Sequence, residues 1–242
     1  MFSSGKIKRS SKHISRQIIS LVLVLAMMLS LPVPVELFAA ESPSTSAVGD
    51  GAAKDENIYA VLYRKDGSNS SNYLNLELVF QNSDAPIAGR AGDVVETYRN
   101  FAGTRYHSRD ISLNSGVPEA SNSKRELCPW NDYITNIVSV DFKDEIEPTY
   151  IAGWFYGFRN IREFKHLSNL KTGSCKDMSY AFYCSTNTSS GAPEVYELDL
   201  SGFDTSNVEE MDYFVRINSL QKLHLENLQP TKVEYLNGFI TN

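Results

Sequence analysis

A block of apolar positions repeated in register constrains this chain more than any other feature. Val195-x-x-Leu198-x-Leu200-x-x-Phe203 aligns with Leu220-x-x-Leu223-x-Leu225-x-x-Leu228, every position moving by the step that takes Val195 to Leu220. A second set moves by the same step, since Val208, Met211, Phe214 and Val215 map onto Val233, Leu236, Phe239 and Ile240. Two earlier units fit more loosely, with Pro148, Ile151, Trp154 and Phe155 in one and Cys175, Met178, Ala181 and Phe182 in the other. The steps from Ile151 to Met178 and from Met178 to Met211 are lengthened by insertions, the larger at Ser185–Glu194. An ordinary α+β core has no reason to keep such a register.

Periods of 20–29 residues headed by L-x-x-L-x-L mark leucine-rich repeats, and the step from Val195 to Leu220 falls inside that range. The L-x-L alternation puts Leu198 and Leu200 on one face of a short strand, with Glu197, Asp199 and Ser201 on the other. The spacing of Val208, Met211, Phe214 and Val215 predicts one stripe of a short helix. Ser206-x-x-Glu209 and Thr231-x-x-Glu234 read as capping boxes at its start. One unit cannot bury its own stripe, so neighbours must stack. The expected fold class is an α/β repeat solenoid, a leucine-rich repeat with a short strand plus a short helix per unit, of about four units over residues 131–242. A small β-rich domain over residues 57–130 precedes it.

Upstream, IYAVLY (Ile58–Tyr63) and LNLELVF (Leu74–Phe80) are β-prone, the second alternating Leu74, Leu76, Leu78 and Phe80 on one face. The polar stretch between them supplies turn residues, which predicts a hairpin, and Val94–Tyr98 is a third strand candidate. Residues 41–56 are Ser, Ala, Gly, Pro and acid, the composition of a flexible linker. Before them, a cationic start (Lys6 to Arg16), an apolar run (Ile18–Leu31) and the small pair Ala39-Ala40 follow the order of a secretory signal peptide over residues 1–40. The run is short for a membrane anchor, which needs about 20 apolar residues. Cleavage is expected after Ala40, with Ala39 and Ala47 as alternatives. No membrane span is expected after its removal, and the expected location is extracellular, secreted or at the cell surface.

Charge excludes one class of partner. The chain carries 23 Lys plus Arg against 29 Asp plus Glu, a net charge of −6. Removing residues 1–40 leaves 18 basic and 28 acidic side chains, a net charge of −10 that repels phosphate backbones, so nucleic acid is not an expected partner.

The unit LDLSGFDTSNVEEM (Leu198–Met211) with its aromatic pair and short loop resembles the BspA-type leucine-rich-repeat surface proteins of bacteria. IYAVLY, LELVFQN and Ile137–Phe158 are similar to the region that precedes the repeats in that family, so the likeness runs from Ile58 to the end, with residues 101–129 poorly matched. It departs in holding Phe203 and Leu228 where many leucine-rich repeats place a buried asparagine. The resemblance implies a non-enzymatic adhesion protein presenting a repeat face to a host or extracellular-matrix protein or glycan. The alternative is a secreted carbohydrate-binding module or enzyme domain in the β-rich region, with the repeats as spacer.

Counting back by one constant step from Ile151, Met178, Met211 and Leu236 aligns Ser139, His166, Asp199 and His224 as one outward strand column. Lys222, His224, Glu226, Glu197, Asp199 and His166 are therefore the candidate binding residues. A solvated strand face is the plain reading; loose metal binding by His and Asp is the sharper one. An extra residue between Phe164 and Leu167 would displace His166. No catalytic residue, metal centre or cofactor is expected: G-x-S-x-G, H-E-x-x-H and a Walker-type loop are absent, and His107 with Asp110 in a polar stretch reads as surface. Cys175 takes the place of Val208 and reads as a buried small hydrophobe, although export would permit a Cys175–Cys184 bridge, leaving Cys128 free.

The last repeat has no successor to cover Leu223, Leu225, Leu228, Leu236 and Phe239. Half-exposing five such side chains forgoes about 4–8 kcal/mol. The expectation is a fragment, a truncated product, or an end that self-associates.

Overall fold

The computed structural model describes residues 51–65, 75–105, 128–184 and 193–241. The signal peptide, most of the linker, Leu74, the His107/Asp110 pair and the body of the Ser185–Glu194 insertion lie outside the described residues. The strands are β1 (Ala53–Lys54), β2 (Tyr59–Arg64), β3 (Leu76–Gln81), β4 (Val94–Tyr98), β5 (Ile137–Phe142), β6 (Ile146–Glu147), β7 (Glu163–Lys165), β8 (Phe182–Tyr183), β9 (Glu197–Asp199), β10 (Val215–Arg216) and β11 (Lys222–His224).

β2 and β3 form an antiparallel hairpin, with Tyr59 opposite Gln81 and Arg64 opposite Leu76. β4 joins antiparallel on the far side of β2. β5 then lies parallel to β3, and β7 parallel to β5, so the five-stranded order is β4-β2-β3-β5-β7. β3 and β5 lie on either side of residue 130, and the described residues belong to one compact unit, Asp50–Asn242. The end of the expected linker is itself structured: β1 pairs parallel with β6, and the Asp55 carboxylate accepts hydrogen bonds from the Thr149 amide (2.8 Å) and hydroxyl (2.6 Å).

The α/β solenoid expectation is overturned. Among the described residues the only helical elements are three-residue 3-10 turns, and the strands fall into one mixed five-stranded sheet and three two-stranded parallel sheets that do not close into a solenoid. The stretch from Val208 to Val215 buries its expected stripe, but as turn and extended chain. Its amides bond to neighbouring segments, where a helix would bond them internally. Glu209 N–H donates to Lys176 O (2.8 Å), Met211 N–H to Tyr235 O (2.9 Å), Tyr213 N–H to Asn237 O (2.8 Å) and Val215 N–H to Phe239 O (3.1 Å). So short a stretch cannot hold a helix unaided. An apolar residue at every third position fits turn-and-strand as well as it fits a helical stripe. The capping boxes fail for the same reason: the Asp204 carboxylate accepts the Ser206 amide (2.9 Å) in a local turn, and Glu234 N–H donates to Glu209 O (2.9 Å).

The alignment steps reappear as pairing offsets. β9 and β11 pair parallel with Glu197 opposite Lys222, Leu198 opposite Leu223 and Asp199 opposite His224. Single parallel bridges join Tyr150 to Asp177, Asp177 to Glu210 and Glu210 to Tyr235. An aromatic column runs through the same segments, with centroid separations of 5.2 Å for Phe155–Phe182, 5.6 Å for Phe182–Phe214 and 5.7 Å for Phe214–Phe239. At the sheet end Phe80 stacks between Phe142 (4.7 Å) and Trp154 (4.9 Å). Asparagines link the segments from outside: Asn160 donates to Thr135 O (2.6 Å), Asn169 to Phe142 O (2.8 Å), Asn207 to Gly173 O (2.8 Å) and Asn227 to Ser201 O (2.8 Å).

Candidate functional site

The β9–β11 pair brings together five of the six candidate residues. Leu198 points into the core at 1% exposure, which leaves its neighbours Glu197 and Asp199 exposed, and the parallel register sets Lys222 and His224 beside them. His224 lies between two carboxylates, with Nε2 3.0 Å from Glu197 Oε1 and Nδ1 3.2 Å from Glu226 Oε1. Ionised carboxylates only accept hydrogen bonds, so this setting favours the protonated ring, in which both nitrogens can donate. The hydrogen bonds to Glu197 and Glu226 accordingly raise the His224 pKa above its ordinary value. The His224 hydrogen bond and the Lys222 charge lower that of Glu197, and a backbone hydrogen bond followed by the His224 contact lowers that of Glu226. Lys222 Nζ stands 3.6 Å from Glu197 Oε2. Asp199 accepts from the Ser201 amide (2.9 Å) and hydroxyl (2.6 Å), which holds its pKa below the usual range.

His166 does not join them. The four-residue column is paired only in its Asp199–His224 half: Glu194 N–H donates to Ile161 O (2.8 Å) just before the two strands, but among the described residues no ladder joins β7 to β9. His166 follows β7 with φ +52°, as the extra residue there suggests, and its Nδ1 lies 2.7 Å from Asp141 Oδ1. Ser139 is buried opposite Glu163 and donates to Glu77 Oε1 (3.3 Å). Among the described residues no group of three or more His, Cys, Asp or Glu is placed to hold a metal ion.

Three features escaped sequence reasoning. Tyr196, one residue before β9, is 56% exposed, and its carbonyl accepts from the Lys222 amide (3.0 Å), so an aromatic ring borders the charged face. Glu77, the one acid in LELVF, is buried under Arg90 (2.7 Å) and Lys165 (2.8 Å). Burial pushes its carboxyl up, but those two cations more than offset this and hold it below the ordinary value. Asp177 and Glu210, each just before an aligned methionine, are buried, and Arg105 reaches both, with Nε 3.4 Å from Asp177 Oδ2 and Nη2 donating to Glu210. Their matching places one unit apart were the available signal.

Cys128, Cys175 and Cys184 are free and buried, without the Cys175–Cys184 bridge that export would permit. Burial raises all three thiols, Cys175 to about 12, which suppresses the reactive thiolate. Tyr156, Tyr180 and Tyr183 are buried against one another, with Tyr213 packed on them.

No family model matches the chain. Comparison with curated proteins and with solved structures finds no match either.

Proposed function

We propose that this is an exported, non-enzymatic recognition protein that uses the β9–β11 face to bind a host or extracellular-matrix protein or glycan. One observation carries the reading: Glu197, Asp199, Lys222, His224 and Glu226 lie together on the solvent side of β9 and β11, with His224 hydrogen-bonded to Glu197 and Glu226, Lys222 paired with Glu197, Asp199 held by Ser201, and Leu198 anchored below. Tyr196 adds an exposed aromatic surface beside it, the residue type that dominates many interface energies. The order of the first 40 residues supports export, and the likeness of Leu198–Met211 to BspA-type surface proteins points the same way. The test is a glycan and matrix-protein array probed with the secreted form and with an Asp199→Ala/Lys222→Ala/His224→Ala variant. Binding by the parent that the variant loses supports the proposal. Binding that the variant retains moves the site elsewhere, with the β-rich region as the next place to look.

A further inference from the structure

We propose that Asn237-Gly238 is a deamidation site whose conversion unlatches the final segment, residues 218–241. This is independent of the ligand proposed above. The chain contains a single Asn-Gly dipeptide, and both of its residues are exposed. Glycine is required there on two counts. Its φ is +55°, and a Cβ at this position would stand 2.5 Å from Cε1 of Tyr213. The fold therefore imposes the residue that leaves the backbone nitrogen after Asn237 least crowded. No hydrogen bond from the described residues engages that nitrogen.

The chemistry needs only water. The Gly238 backbone nitrogen, losing its proton to solvent base, attacks Asn237 Cγ. The new C–N bond closes a succinimide, the bond from Cγ to Nδ2 breaks, and the amide nitrogen leaves as ammonia, taking up a proton. Water then opens the ring at either carbonyl to give aspartate or isoaspartate. Nothing is oxidised or reduced.

The consequence follows from what Asn237 touches. Its backbone N–H (2.6 Å) and its Nδ2 (3.1 Å) both donate to Asp212 Oδ1. Conversion replaces the second donor with a carboxylate facing a carboxylate, and like charges at hydrogen-bond distance repel. Isoaspartate also inserts a methylene into the main chain. The link sits among the bonds that hold the final segment on its neighbour: Met211 N–H to Tyr235 O (2.9 Å), Tyr213 N–H to Asn237 O (2.8 Å) and Val215 N–H to Phe239 O (3.1 Å). Residues 222–226 belong to the segment that would loosen.

The full chain is aged at mildly alkaline pH and physiological temperature, folded and in denaturant, and followed by peptide mapping and hydrogen exchange. Acid at position 237 should accumulate in the folded chain ahead of Asn82-Ser83 and Asn218-Ser219. The aged protein should lose amide protection over residues 218–241 while Tyr59–Arg64 and Leu76–Gln81 keep theirs. Fresh Asn237→Asp should show the same selective loss, and Asn237→Gln should neither convert nor loosen. An Asn237 that stays intact in the folded chain while the denatured chain converts overturns the site. Unchanged protection in the aged protein and in Asn237→Asp, or equal loosening in Asn237→Gln, overturns the unlatching.

Discussion

Leu198 and Leu223 are register partners in adjacent strands, with the same residue type and the same surrounding pattern, yet Leu198 is 1% exposed and Leu223 only half-buried. The same contrast separates Met211, fully buried, from Leu236 at 48% exposure, and Phe214 from the half-buried Phe239. Around Met211 and Phe214 the chain is bonded on both sides, through the bridges from Glu210 to Asp177 and to Tyr235 and through Phe182 N–H to Phe214 O and Val215 N–H to Phe239 O. Leu236 and Phe239 have such a neighbour on one side among the described residues. The five-stranded sheet completes the series: β3 has β2 and β5 as neighbours, and all six of its residues are buried. Burial here is set by neighbours more than by residue type.

That contrast can be broken by matched substitutions. Leu198→Ala should cost about 2–5 kcal/mol, the range for deleting a buried leucine. Leu223→Ala should cost less than half as much in the same denaturant titration, and equal costs would show that the final segment is as well covered as the one before it. Next in size, Arg105→Ala should cost about 1.5–3 kcal/mol, because it removes charge-assisted hydrogen bonds from the buried Asp177 and Glu210. A loss in that range, measured by thermal or chemical unfolding, would tie residues 101–105 to the later segments energetically.

Smaller effects sharpen the exposed side. Tyr235, Leu236 and Ile240 are 40%, 48% and 46% exposed, so about half of each side chain's burial is at stake and replacing Leu236 or Ile240 with Ser should cost monomer stability about 0.8–1.5 kcal/mol each. If this exposed apolar strip mediates self-association, sedimentation of the parent should depend on concentration and that of the variant should not. The smallest effect is electrostatic. The raised pKa of His224 means that its contribution is complete below its unfolded value of about 6.5 and is lost as pH rises through the folded one. Glu197, Glu226 and Asp199 are lowered, so their contributions are complete above the unfolded carboxylate range and are lost as pH falls through the depressed values. The face is held most firmly between those limits. Nuclear magnetic resonance titration should put the His224 midpoint above the ordinary histidine value, and Glu197→Gln should lower it.

Register was the most legible property of the chain. The unequal steps that carry Ile151 to Met178, Met178 to Met211 and Met211 to Leu236 return unchanged in the parallel bridges from Tyr150 to Asp177, Asp177 to Glu210 and Glu210 to Tyr235. The hairpin and the Val94–Tyr98 strand were legible from alternation and turn composition, and so was the Lys222, His224, Glu226, Glu197 and Asp199 group, because a parallel pair with known offset sets its side chains beside each other. The helix was misread because its signal was ambiguous: Val208, Met211, Phe214 and Val215 face inward in either conformation, and only the destination of the amides distinguishes the two. The displacement of His166 is legible in the extra residue after Phe164, but its partner Asp141 is not, because adding residues along a chain does not reveal which strand a side chain will face.

Local order therefore resided in the linear pattern: which side chains face inward, where the turns fall, and how far one segment is offset from the next. Tertiary contacts decided the rest, including the partners of the Val208–Val215 amides, the ion pairs that admit Glu77, Asp177 and Glu210 to the interior, and the solvent left over Leu223 and Leu236. The physical reason is that inward-facing spacing is a property of a single segment. Hydrogen-bond pairing, desolvation and charge compensation each require a second segment, whose position depends on the whole fold.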